Sequence, residues 1–311
     1  MIESLQRWAA GRTYRVAWGS PDVVGAARAE ILGRRASAEL DDEFFAREIR
    51  GVVGEEDGRS AGAVVVVAVP RTAWRVSFDL GEARFVAIIP PTYVRYRALF
   101  EEVRQDLAAN GLPGAKVEHL VGPLKAVAAR LGLVRYGRNN VTYAPGVGSY
   151  MQLCGYVTDA QLPTDERELP QARAFLPECD DCRVCRSACP TGAIADDRLL
   201  LHAHRCLTYA NENPGVWPGW VPARAHNCLL GCLRCQRACP ANPKLKVADS
   251  GVLFSAAETR ALLENPDALD ERNEAGVRYK LAWLGQPYVE PVLGRNLRAL
   301  LEVRGRTMTP S

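Results

Sequence analysis

Apolar positions recur at helical spacing from Val23 to Leu32 and again around Phe44 to Ile49, which predicts two early helices. The period then changes. Ala63 to Val69 is a continuous apolar run bounded by Gly62 and Pro70, the mark of a strand buried on both faces. Arg84 to Ile89 reads as a second strand, and Tyr93 to Leu107 as a helix with its apolar side at Leu99, Val103 and Leu107, closed by Asn110-Gly111. Ala115 to Leu120 predicts a short strand, Leu124 to Leu131 a helix with Gly132 beyond its end, and Thr142 to Val157 one or two more strands. After Pro243, helical spacing returns at Ala256 to Leu263, Glu274 to Leu284 and Leu293 to Val303. These elements point to the α+β class, without a phosphate-binding glycine fingerprint.

The segment Cys179 to Pro240 follows neither period. It holds every cysteine but Cys154, and it opens with Cys179, Cys182, Cys185 and Cys189-Pro190. That is the C-x2-C-x2-C-x3-C-P run of bacterial ferredoxins, in which three thiolates hold one [4Fe-4S] cube and the fourth serves a second cube. A second run follows at Cys228, Cys232, Cys235 and Cys239-Pro240. Zinc is the plain alternative, since Cys182-x2-Cys185 and Cys232-x2-Cys235 also make a four-thiolate ribbon. Zinc leaves Cys179, Cys189, Cys239 and both Cys-Pro pairs without a role. A disulfide framework is not needed by a chain of 311 residues, which buries its own core.

The first cube is assigned to Cys179, Cys182, Cys185 and Cys239. The second takes Cys189, Cys232 and Cys235, and spacing leaves both Cys206 and Cys228 for its fourth ligand. The three-residue gap between Cys228 and Cys232 breaks the rhythm and favours Cys206. The spare thiol and Cys154 read as small buried residues. Between the runs, Asn211 to Pro222 carries three prolines, two glycines and two tryptophans, hence an irregular loop. Trp217 and Trp220 are expected there either as anchors or as walls of a substrate entrance.

Composition adds little beyond a soluble globular class, with 48% hydrophobic and 24% charged residues and a formal net charge of +3. Met1 to Tyr14 has no apolar signal region, and the longest apolar run is far short of the ~20 residues of a membrane helix. The expectation is a cytoplasmic, monomeric protein without a membrane partner, in a compartment where thiols stay reduced.

Several short motifs surround the cysteines: Gly132-Leu133 with Tyr136-Gly137-Arg138-Asn139, Gly148-Ser149-Tyr150, and Thr158-Asp159 with Leu162-Pro163. Others are the Cys-Pro-Thr-Gly-Ala-Ile stretch ending at Ile194, Arg205 to Tyr209, Gly231-Cys232 to Pro240, and Arg295-Asn296-Leu297. With these motifs the chain, from about Gly62 to Leu301, resembles the epoxyqueuosine reductases. Those are cobalamin-dependent iron-sulfur enzymes that remove the epoxide oxygen in the last step of queuosine synthesis on tRNA. The resemblance implies an oxidoreductase of queuosine biosynthesis and tRNA processing, with two [4Fe-4S] clusters and cobalamin bound without a protein histidine. It also implies Cys206 as the fourth ligand of the second cluster, with Cys228 the spare.

On this reading residues 1–165 form a mixed α/β cobalamin and substrate domain, 166–250 a ferredoxin-type double-cluster module, and 251–311 a helical segment covering both. Gly137, Arg138, Asn139, Ser149 and Tyr150 are the expected cobalamin contacts. Electrons are expected from a ferredoxin- or flavodoxin-like donor. Arg95, Arg97, Lys125, Arg130, Arg135 and Arg138 are candidates to meet phosphates of tRNA or of the cobalamin tail. The family's proton-donating aspartate has no counterpart, because Leu120 stands at its place. Glu118 and His119 are the neighbouring substitutes, although adjacent strand residues face opposite ways. The missing acid leaves two other readings: a related corrinoid reductase with a different substrate, and a ferredoxin-like electron carrier or corrinoid activator without substrate chemistry.

Overall fold

The strands in chain order are β1 (Arg15–Gly19), β2 (Ala63–Pro70), β3 (Ala73–Asp79), β4 (Arg84–Ile89), β5 (Val117–His119), β6 (Arg135–Tyr136), β7 (Thr142–Tyr143), β8 (Met151–Thr158) and β9 (Val247–Phe254). The structure, a computed structural model, describes residues 1–53, 62–163, 175–196, 198–264, 271–286 and 290–305. The domain boundary expected at 165/166 lies outside the described residues.

β2 occupies the middle of a four-stranded sheet of order β1-β2-β8-β5, antiparallel at every pairing. Successive strand side chains point to opposite faces. Val64, Val66 and Ala68 therefore enter one core with the helices Asp22–Ala36 and Leu124–Arg130, while Val65, Val67 and Val69 enter another with the helices Ile2–Gly11 and Tyr96–Asp106. Helices on both faces explain why this run is apolar at every position. Burying each valine contributes ~1.5–3 kcal/mol, so a charge at any of these sites breaks the sheet. Cys154 on β8 is fully buried in the second core, where burial pushes its thiol up to about 12. It behaves as a small apolar residue.

A second sheet has the order β4-β3-β9, with β3 antiparallel to β4 and parallel to β9. β9 carries no sequence signal, since Asp249, Ser250 and Gly251 interrupt its apolar residues and its first five positions are exposed or half-buried. Those same side chains make its irregularity: Ser250 Oγ donates to the Arg75 carbonyl at 2.6 Å and Asp249 Oδ1 accepts from Gly251 N at 2.9 Å, beside a register shift between Arg75 and Ser77. The chain thus leaves this sheet, forms the cysteine segment, and returns to pair beside β3. Helices Ala256–Glu264, Glu271–Leu284 and Glu290–Val303 then cover the sheet through Phe78, Phe85, Phe254, Leu262, Leu293 and Leu297.

The helix expected from Tyr93 begins at Tyr96. Pro90 and Pro91 hold the preceding turn out of the α conformation, and Arg95 enters the helix with a left-handed φ of 46°. The stretch from Phe45 to Ile49 winds as a π-helix between short α turns. No helix among the described residues is long and apolar enough to cross a membrane.

Candidate redox centre and an adjoining cavity

The first cysteine run is docked onto the N-terminal part by backbone pairing. Phe175 bridges Tyr136 of β6, and Leu176 N donates to the Tyr136 carbonyl at 2.9 Å. This brings Cys179, on the turn Pro177–Cys179, beneath the Gly137 to Asn139 loop. Cys185 sits on the short helix Val184–Ala188, and Cys239 at the end of the matching helix Arg234–Ala238. Cys179, Cys182, Cys185 and Cys239 line one small hollow with Arg138 and Tyr143. Burial pushes the Cys179 and Cys185 thiols up, and repulsion from Cys239 and Cys182 adds to it.

The other four thiols form a second group. Burial raises Cys206, Cys232 and Cys235; Cys189 repels all three, and Cys206 repels the latter two. Donors converge on these sulfurs. Ala193 N reaches Cys189 Sγ at 3.3 Å, while Asn227 Nδ2 and Arg234 N reach Cys232 Sγ at 3.2 and 3.5 Å. Such contacts offset thiolate charge in iron-sulfur sites. Each run therefore sends its last cysteine, Cys189 or Cys239, to the other run's group. Cys228 is buried beside Tyr150 and Leu233, its thiol donating to Asn227 Oδ1 at 3.2 Å and so turned to the amide that also donates to Cys232. Among the described residues no three His, Cys, Asp or Glu side chains converge on a single ion. A tetrahedral zinc with bonds of ~2.3 Å demands such convergence, whereas a cube keeps its ligands farther apart.

The residues expected at cobalamin mainly hold this module. Arg138 Nη2 donates to the Cys179 carbonyl at 2.9 Å, and Asn139 Nδ2 to the Tyr143 hydroxyl at 2.9 Å. Ser149 N donates to Asn242 Oδ1 at 2.7 Å, Asn242 Nδ2 donates to Ser149 Oγ at 2.9 Å, and the Tyr150 hydroxyl contacts the Gln236 carbonyl at 3.4 Å. Gly148 permits that approach, since its left-handed φ of 72° and bare Cα leave room for the Asn242 side chain. Of the candidate phosphate contacts, Arg130 is tied to Glu30 at 2.9 Å and Arg95 to Glu102 at 3.3 Å.

A cavity of about 1060 Å³, counting its open mouth, lies between the helix Asp22–Ala36, the 42–53 stretch, the start of the helix Leu124–Arg130 and the segment Leu199 to Ala203. Its walls are mostly apolar. Glu30, the carboxylate in its lining, is neutralised by Arg34 and Arg130, both at 2.9 Å. Lys125 Nζ donates to the Asn140 carbonyl at 3.2 Å, and the buried Asn140 Nδ2 has no hydrogen-bond partner among the described residues. An unpaired buried donor costs ~1–3 kcal/mol, which a bound acceptor removes. Sequence reading did not single out Asn140, although its left-handed φ of 58° in an Asn-Asn pair is the kind of strain that gathers at sites.

Comparison with known proteins agrees with this arrangement. Residues 178–242 match the family described as a 4Fe-4S double cluster binding domain. The chain is also similar to the epoxyqueuosine reductase of Bacillus subtilis, 32% identical over 118 residues, which are 38% of this chain and 28% of the relative. To that of Staphylococcus aureus it is 27% identical over 130 residues, 42% of this chain and 32% of the relative. The matched stretch thus spans about a third of these relatives' length. The solved Bacillus subtilis enzyme superposes with a TM-score of 0.64 at 18% identity, covering 98% of this chain and 82% of that one.

The chain has the epoxyqueuosine reductase fold. A further epoxyqueuosine reductase structure, solved with an epoxyqueuosine-modified tRNA stem loop, matches with a TM-score of 0.64 at 19% identity, covering 97% of this chain and 80% of the other. Within the epoxyqueuosine reductase fold, Leu120 follows β5 half-buried, packed against the first core with its side chain, like that of Leu124, over Gly155. Glu118 pairs with Lys116 at 3.0 Å, and His119 Nε2 lies 3.1 Å from Glu101. Neither lines the cavity. Trp217 is an anchor: its ring meets His226 edge-on with centroids 4.4 Å apart. Trp220 stays 40% exposed beneath Arg205.

Proposed function

We propose that the chain is a cobalamin-dependent iron-sulfur reductase of the epoxyqueuosine reductase type, acting on epoxyqueuosine in tRNA. The overall change needs two electrons and two protons, and turns the epoxide into an alkene and water. The observation that carries this reading is the crosswise sharing of two thiol groups beside a ligand-sized cavity with an unsatisfied donor.

Cys179, Cys182, Cys185 and Cys239 would hold the first [4Fe-4S] cluster, and Cys189, Cys206, Cys232 and Cys235 the second. Buried thiols that stay protonated alone become thiolates only against iron, so loading releases protons. Cobalamin fits the cavity in chemistry, since its corrin has apolar faces and a rim of amide groups. It supplies a strongly reducing cobalt centre when bound. Asn140 Nδ2 and Lys125 Nζ would donate to that rim, and the leucines of 199–201 would exclude water from it. Arg138 holds the first cysteine turn and Asn242 the end of the second, so the module keeps a fixed distance to the cavity wall. Electrons would come from a ferredoxin- or flavodoxin-like protein.

The test is anaerobic reconstitution with iron, sulfide and cobalt analysis, then a single turnover on an epoxyqueuosine-containing tRNA stem loop. Two clusters, one retained corrinoid and conversion of the nucleoside are expected. Iron without retained cobalamin would defeat the reading.

A second reading is favoured by one observation, the packing of Leu120 against the core where the family has its acid. On it the protein is a related corrinoid reductase for a different small molecule, or an electron-transfer protein that activates another corrinoid protein. Corrinoid retention without turnover on the stem loop selects the former. Two clusters without corrinoid select the latter.

A further inference from the structure

Residues 203–246 carry three of the four thiols of the second group, and every lysine and arginine in them is exposed: Arg205, Arg224, Arg234, Arg237, Lys244 and Lys246. Among the described residues none of the six has a carboxylate at ion-pair distance. The one acid of the stretch, Glu212, is half-buried and accepts a hydrogen bond from the Tyr93 hydroxyl. This surface is therefore of one sign.

Three of the bases are joined to the thiols by a chain of contacts. Arg234 N reaches Cys232 Sγ at 3.5 Å, and the Arg234 Nη2 donates to the Arg224 carbonyl at 2.8 Å. Two tight turns, closed by Val221 N on the Pro218 carbonyl at 2.9 Å and Ala225 N on the Pro222 carbonyl at 2.8 Å, connect Arg224 to Trp220. The Trp220 ring, 40% exposed, lies beneath the Arg205 guanidinium at 5.7 Å, and Arg205 precedes Cys206 directly. Cys206, Cys232 and Cys235 are themselves only half-buried. An exposed indole ringed by arginines thus covers the outer side of the second group.

The turn that carries Cys179 and Cys182 has the opposite sign. Glu178, Asp180 and Asp181 are exposed, without a base at ion-pair distance among the described residues, while Arg183 and Arg186 both pair with Asp196. A protein with carboxylates around its prosthetic group is attracted to the first of these faces and repelled from the second. Tryptophan and arginine are also the side chains that most often carry binding energy between proteins. The bases would suit a phosphate backbone as well, but a nucleic acid delivers no electron to the thiols behind them.

We propose that the face made by Arg205, Trp220, Arg224 and Arg234 is the docking surface for an acidic electron carrier of the flavodoxin or ferredoxin type, and that electrons enter at the cluster held by Cys189, Cys206, Cys232 and Cys235. The inference rests on the two-cluster reading above and adds the donor's place to it. One electron leaves the reduced carrier, which is oxidised, and reduces that cluster. No bond forms or breaks in the step, and the four side chains act only by holding the carrier there.

The test follows binding of oxidised flavodoxin to the anaerobically reconstituted full chain by calorimetry at low and high salt. Cluster reduction by reduced flavodoxin is followed by stopped-flow absorbance, with dithionite as the reductant that needs no docking. R205E and R234E should each weaken flavodoxin binding about tenfold at low salt and by less at high salt. W220A should weaken it at both. D181K should leave binding intact or tighten it, the exposed control K116E should change nothing, and dithionite should reduce every variant as it does the wild type. Should R234E lose iron, R224E is read in its place. Unchanged affinity in the arginine variants overturns the proposal, as does a wild-type chain that binds neither flavodoxin nor ferredoxin. So does loss of tRNA stem-loop binding in those variants with flavodoxin binding kept, which would assign the face to RNA. A wild-type chain with fewer than two clusters overturns the underlying reading instead, and the iron count shows this before any variant is made.

Discussion

The Arg295 guanidinium lies 4.0 Å from the centre of the Trp217 ring, on the side chain that anchors the loop between the two cysteine runs. Its nitrogens also donate to the carbonyls of Ala210, Asn213 and Gly215 at 2.7–2.9 Å, and Asn296 Nδ2 donates to those of Asn211 and Leu229. The C-terminal helix thus holds the loop by its backbone. This gives the Arg295-Asn296 pair a physical role, since only a planar fork serves several carbonyls and a ring face at once.

Replacing Arg295 by alanine leaves those carbonyls unpaired and uncovers Trp217. The expected loss is ~2–4 kcal/mol in denaturant unfolding of the reconstituted protein, with faster loss of iron. Lysine should recover only part of it. Wild-type unfolding and iron retention in R295A would show that the clasp carries no stability.

His226 is buried against Trp217, and burial, with Arg295 adding to it, holds its imidazole down to about 4 from an ordinary 6.5. The unfolded chain therefore binds a proton more readily than the folded one. Stability from this group is complete above pH 6.5 and is lost as pH falls toward 4, by at most about 3 kcal/mol. Tryptophan fluorescence during acid unfolding should show a shallower slope over that window in H226Q. Superimposable acid limbs for the two proteins would rule out His226 as the cause.

Cys206 is half-buried and Cys228 buried, and both lie near Cys232, yet Cys206 also shares its surroundings with Cys189 while Cys228 donates its proton to Asn227. C228S should retain about eight irons per chain, whereas C206S should fall by roughly half. Equal iron content in the two variants would undo the ligand choice.

Ile31 lines the cavity from the helix Asp22–Ala36, on the wall contributed by that helix. I31W should fill the space and abolish corrinoid retention while iron content and cluster signals stay at wild-type levels. A corrinoid bound normally by I31W would move the site elsewhere.

Much of the redox centre was legible in the residues alone, because cube ligation imposes a local rhythm that two turns of chain satisfy without help. The buried strand Ala63–Pro70 was legible for a similar reason, since two apolar faces leave no polar position. β9 was not, for Asp249, Ser250 and Gly251 interrupt it and its pairing partner, β3, lies far back in the chain. Nor was the contact of the Gly137 to Asn139 loop with the cysteine turn, which Arg138 makes through the Cys179 carbonyl while Asn139 donates to Tyr143. A short loop motif names the residues that approach something, not the group they approach.

The order of amino acids by itself determined the chemistry of the cysteine segment and the α+β class, because ligand spacing and apolar periodicity act within a few residues. Tertiary structure alone decided which thiols share a neighbourhood and which side chains wall the cavity. It also set Lys125 there without a described counter-ion. These depend on contacts between residues well separated along the chain, such as Cys179 with Cys239 and Lys125 with Leu199, whose geometry follows from the packing of whole elements and leaves no local trace.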